Sequence, residues 1–154
     1  MLHILFVCTG NTCRSPMAMA LFEVKSREYG ISSIFSSAAL GFVNEEGVSR
    51  NAQLVCNEIG LDIGHHKPRP LRERDIRITD IYVVMTQTHA ETLMMIGVPK
   101  EKIYILGGGV PDPYGSDIAT YRKCRIFIEK AIDEFCSILK KKIDNGTLKV
   151  NDDD

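Results

Sequence analysis

Neither sign of charge dominates the 154-residue chain: 19 lysines and arginines face 20 aspartates and glutamates, a formal net charge of −1. That balance withholds the positive field that nucleic acid or an anionic membrane surface would draw on, so neither is an expected partner. Any anion must be gripped locally. No apolar run approaches the roughly 18 residues of a membrane span. Met1-Leu2-His3 lacks the basic start and long apolar stretch of a secretory signal. A cytoplasmic protein is expected. The five cysteines are odd in number and unevenly spaced, in a chain long enough to fold unstapled, which excludes a disulfide framework. Thiol chemistry then becomes the open question. The Gly-Lys-Ser/Thr of a nucleotide-binding loop is missing. Gly107-Gly108-Gly109 lacks the spacing and the following helix of a dinucleotide site. His65, His66 and His89 lack metal-ligand spacing to one another or to cysteine. Neither a metal nor a cofactor is expected.

What is present suits one globular domain: 44% of residues are apolar and 25% charged. Leu2 to Val7 reads as a buried strand stopped by Thr9-Gly10-Asn11, and from Arg14 the spacing of Met17, Leu21 and Val24 predicts a helix closed by Gly30. Ile34 to Ser37 is a short strand, and Val48, Ala52, Val55 and Ile59 mark a helix ended by Gly60. Gly64 to Arg77 carries five basic residues and reads as a surface loop with one helical turn. Ile81 to Met85 is the next strand, followed by a helix with a capping box at Thr88 and Glu91 and a stop at Gly97. Ile103 to Leu106 is the last strand. A loop with Asp112-Pro113-Tyr114 leads to a final helix from about Ser116, with Ile118, Tyr121, Cys124, Ile128, Ile132, Phe135 and Leu139 on one stripe. The alternation predicts a doubly wound three-layer α/β/α domain over residues 1–145 with a four-stranded, mostly parallel sheet. Residues 146–154 read as a frayed acidic tail. Ligands of such sheets bind outside the carboxyl ends of the strands, which selects the loops after Val7, Met85 and Leu106.

Cys8-Thr9-Gly10-Asn11-Thr12-Cys13-Arg14-Ser15 lies at the first of these ends. A loop between strand end and helix start turns successive backbone N–H groups inward, and the helix terminus adds positive potential, so a phosphate or similar oxyanion fits there. Gly10 supplies the positive φ that wrapping requires. Arg14 adds a planar fork for two phosphate oxygens. The same donors favour the thiolate of Cys8. Ser15 is placed to steady a departing thiolate, and Asn11 to pin the loop through its amide.

This octet followed by Pro16, together with Asp112-Pro113-Tyr114, resembles the low-molecular-weight protein tyrosine phosphatases, from Ile4 to the end of the last helix. The resemblance implies a metal-free, cysteine-dependent phosphatase of phosphorylated proteins, with Cys8 as nucleophile, Arg14 as phosphate clamp and Asp112 as general acid. A leaving oxygen needs a proton, and a carboxylic acid one loop away suits that role. Asp117 competes for it, but its position at a helix start suits an N-cap. Tyr114 reads as one wall of the entrance, and Phe42 as either an opposite wall or core. Ser37 resembles the family serine that holds the loop asparagine, and Ser37-Ala38-Ala39 stands where the family usually has Ser-Ala-Gly. His66 is a supporting or surface residue.

Phosphotyrosine is the lead substrate. Thr12 stands where tyrosine-specific members often carry isoleucine, and it resembles the threonine of the protein-arginine phosphatase branch. Gly115 stands where many have a second aromatic. Phosphoarginine is therefore the alternative. An arsenate reductase would need relay cysteines between Met85 and Gly97, and none is there. Cys56, Cys124 and Cys136 fall on helical stripes and read as core. Cys13 is the remaining thiol, placed to trap an oxidised Cys8 as a disulfide.

Overall fold

The computed structural model describes residues 1–43 and 46–148. In chain order the elements are β1 (Leu2–Cys8), α1 (Arg14–Glu28), β2 (Ser33–Ala39), α2 (Arg50–Asn57), α3 (Glu73–Ile78), β3 (Ile81–Val84), α4 (Gln87–Met95), β4 (Ile103–Ile105) and α5 (Ile118–Asp144). The sheet order is β2-β1-β3-β4. Every pairing is parallel, so "mostly parallel" sharpens to wholly parallel. The reason lies in β1, which is apolar because it is buried on both faces. Ile4, Phe6 and Cys8 join the larger core with residues of α1, α2 and α5, whereas Leu5 and Val7 join the smaller one with Ala90 and Leu93 of α4. Two helical layers therefore sandwich the sheet, as expected. Among the described residues no helix is long and apolar enough to cross a membrane.

From β1 the chain crosses to β2 on one side, then returns past β1 to β3 on the other. A crevice opens between the carboxyl ends of β1 and β3 at this reversal. Aromatic packing fixes α1 behind it. Phe22 of α1 lies 5.3 Å from Phe6 and 5.8 Å from Phe135, measured between ring centroids.

Three local expectations change. The cap of α4 is Thr86, whose hydroxyl accepts from His89 N–H at 3.2 Å, and Thr88 lies inside the helix. β3 ends at Val84, so the first side chain able to cap is the threonine just beyond Met85. Phe42 is 91% exposed and so not core. Of the tail expected from 146, Leu148 packs on the larger core and its N–H donates to Lys142 O at 3.0 Å. Residues 149–154 lie outside the described residues.

Candidate active site

β1 ends on Cys8 and α1 begins on Arg14, so residues 9–13 must turn the chain within one loop. The loop curls around the Cys8 sulfur: Asn11 N–H points to Sγ at 3.2 Å, and Ser15 Oγ lies 3.0 Å from it. The residue with left-handed backbone is Asn11, at φ 57°, and not Gly10. Asparagine is among the few side-chain residues that enter this region readily. Here it is also held: its Nδ2 donates to Ser37 Oγ at 3.1 Å, and its Oδ1 bonds His66 Nε2. Burial keeps the His66 ring below its ordinary pKa. Ser37 holds Asn11 even though Ala39 follows where glycine is usual.

The outer strand of the loop is tied on both sides. Gly41 N–H donates to Thr9 O at 2.8 Å and Ser49 N–H to Thr12 O at 2.9 Å. A Cβ at residue 41 would stand 3.0 Å from the Thr9 methyl, so this close approach wants glycine. Thr9 Oγ1 lies 2.9 Å from His89 Nε2.

Arg14 is 4% exposed and reaches under the loop. Its Nη1 donates to Val110 O at 3.1 Å, its Nη2 lies 3.6 Å from Asp112 Oδ2, and its Nε is buried with no partner among the described residues. Val110 N–H in turn donates to Met85 O at 2.6 Å. The end of β3 thus sets the height of the loop carrying Asp112. That carboxylate is half exposed and accepts from Tyr114 N–H at 3.0 Å. Cys13 Sγ lies 4.0 Å from Asp112 Oδ1. Burial, then the charges of Cys8 and Asp112, push the Cys13 thiol up to about 12.

Cys8, Thr9, Gly10, Thr12, Cys13 and Arg14 line one cleft of about 390 Å3 together with Asp112, Tyr114 and Phe42. Asn11, Ser15 and Ser37 stand behind it. Asp117 instead caps α5, accepting from Thr120 N–H at 2.9 Å, as its position suggested. Cys56, Cys124 and Cys136 are buried in the core, and burial pushes their thiols up to about 12, 11 and 12. Sequence reasoning missed His89, Gly41 and Val110. His89 had a signal, since it lies one turn beyond the second of the three selected strand ends. Val110 had none, because only its backbone takes part.

Residues 3–145 match the model of the low molecular weight phosphotyrosine protein phosphatases. The chain belongs to that family. This phosphatase is accordingly a hydrolase of phosphate monoesters. It is 31% identical over 150 residues to the protein-arginine-phosphatase of Bacillus subtilis (strain 168), covering 91% of this chain and 98% of that one. It is 30% identical to the low molecular weight protein-tyrosine-phosphatase Ptp of Acinetobacter johnsonii, covering 86% and 94%. The solved YwlE arginine phosphatase mutant with a phosphorylated active site serine superposes with a TM-score of 0.84 at 30% identity, covering 93% of this chain and 99% of that one.

Proposed function

We propose that the cleft hydrolyses phosphotyrosine in protein substrates through a phosphocysteine on Cys8. The observation that carries this is the sulfur itself: one backbone N–H and one hydroxyl converge on Cys8 Sγ, at the start of a helix whose first residue is a buried arginine. Such surroundings favour an anionic ligand beside the sulfur. The Cys8 thiolate attacks phosphorus, and the S–P bond forms as the P–O bond to the tyrosine breaks. Asp112 gives its proton to the departing phenolic oxygen. Water then attacks the phosphocysteine, its proton passes to the Asp112 carboxylate, and the thiolate leaves toward the Ser15 hydroxyl. Arg14 grips the non-bridging oxygens with Nε, which no protein atom claims among the described residues, and with Nη2. Tyr114 and Phe42, 66% and 91% exposed, flank a flat leaving group. The phosphorylated serine of the solved relative supports transfer to a side chain.

Rapid quench with a labelled aryl phosphate tests the mechanism. Label is expected on Cys8 and is expected to accumulate in Asp112→Ala, because a good leaving group needs no acid whereas hydrolysis needs the base. An active Cys8→Ser enzyme would sink the proposal.

A second reading, phosphoarginine, is favoured by Thr12, which lines the cleft, and by Gly115, which follows Tyr114 without a second aromatic side chain. The Bacillus subtilis relative is named for that activity. Thr12→Ile is expected to shift preference toward phosphotyrosine peptides over phosphoarginine peptides; an unchanged ratio removes Thr12 from the question.

A reducing cytoplasmic setting suits five free cysteines. Peroxide would convert the Cys8 thiolate to a sulfenic acid; the Cys13 sulfur then displaces the hydroxyl, which leaves as water, and a disulfide forms. Dithiothreitol is expected to restore peroxide-treated wild type better than Cys13→Ala; equal recovery refutes the trap.

A further inference from the structure

We propose that His89 is a positioning residue for phosphate binding, acting through its bond to the Thr9 hydroxyl. The proposal rests on the reading that the loop after Cys8 binds phosphate. Thr9 is the first residue beyond the nucleophile and lines the cleft, yet it is exposed and outside any element. Among the described residues two hydrogen bonds hold it. Gly41 N–H holds its carbonyl from the β2 side, and His89 Nε2 holds its hydroxyl from the α4 side.

His89 is built to be rigid. It is 6% exposed, sits in the first turn of α4, and its own N–H is taken up by the Thr86 cap. Burial and the nearby Arg14 guanidinium push its pKa down to about 4, so the ring is neutral at working pH and carries a single N–H. Nδ1 is buried with no partner among the described residues. An orphaned buried donor is rarer than an under-satisfied acceptor. The proton therefore belongs on Nε2, which donates to Thr9 Oγ1 and leaves the hydroxyl its own hydrogen to turn into the cleft. A histidine serving only as core filler would not need a partner in the phosphate loop.

The test is competitive inhibition by inorganic phosphate, read alongside kcat/KM and Tm. His89→Ala is expected to weaken phosphate inhibition about tenfold, the effect of one buried hydrogen bond. Thr9→Val, at an exposed site where folding is not at stake, is expected to do the same. Adding Thr9→Val to His89→Ala is expected to cost nothing more. Thr9→Ser and His89→Gln, which keep a hydroxyl and an amide donor, are expected to restore most of the affinity. Multiplying effects in the double variant, or a His89→Ala enzyme that loses Tm but not phosphate affinity, would overturn the proposal. Wild type that phosphate does not inhibit would instead overturn the reading of the loop itself.

Discussion

Asn11 concentrates the local cost of the site in one residue. Its left-handed backbone is tolerable for asparagine and lets its N–H face Cys8, while Ser37 and His66 hold the side chain. An alanine at 11 would keep the strained backbone, at roughly 1–2 kcal/mol, and lose both side-chain partners. Glycine would remove the strain and lose only the partners. The expected order of Tm and of kcat/KM is therefore wild type, then Asn11→Gly, then Asn11→Ala; the reverse order for the two variants would show that the backbone conformation is unimportant. Ser15 acts later in the cycle. Its hydroxyl meets the sulfur when the thiolate is the leaving group, so Ser15→Ala is expected to lower kcat by about 100-fold, comparable to losing one oxyanion donor. In that variant the steady-state rate should fall more than the initial burst in stopped-flow.

At the scale of elements, α5 is the wall behind the acid loop, and Asp117 starts it. The carboxylate accepts from both Thr120 N–H and Thr120 Oγ1. Asp117→Ala is expected to cost about 1 kcal/mol, seen as a lower urea midpoint with an unchanged slope. Much of this framework is legible in the residues. Gly30 and Gly60 lie just beyond the ends of α1 and α2 with positive φ, as the stop signals implied, and the Cys8 octet falls at a strand-to-helix junction. Two kinds of feature resisted. The cap of α4 is not legible in the residues because Thr88 and Glu91 match the capping pattern better than Thr86 does, and only the end of β3 decides between them. Phe42 is ambiguous in the sequence because an apolar run beside a strand looks the same whether it turns inward or overhangs a cleft.

For the whole molecule, acid should lower the stability of the fold in two stages. Burial holds His66 and His89 below their ordinary pKa, the latter down to about 4, so the unfolded chain binds the extra protons. Their neutral forms contribute stability in full above about pH 6.5, and it is lost as pH falls toward 4. Asp75 adds a second loss at lower pH. Burial raises its carboxyl, but Arg69 at 2.8 Å and Arg72 N–H outweigh that and hold it below 3.8. Tm is expected to decline between pH 7 and 4.5, with a shallower slope in His89→Gln; a flat profile in wild type would contradict both buried rings. The relay from Met85 O through Val110 to Arg14 has a different consequence. Because residue 110 contributes only peptide atoms to it, most substitutions there would pass through the relay unnoticed, and a library scored for activity would mark 110 as an ordinary packed valine. Proline alone lacks the N–H that meets Met85, so the link between sheet and acid loop would surface only as a loss in Val110→Pro beyond what other apolar substitutions of this buried residue cost. Part of the catalytic architecture is in this sense written in the main chain, where side-chain mutagenesis does not read.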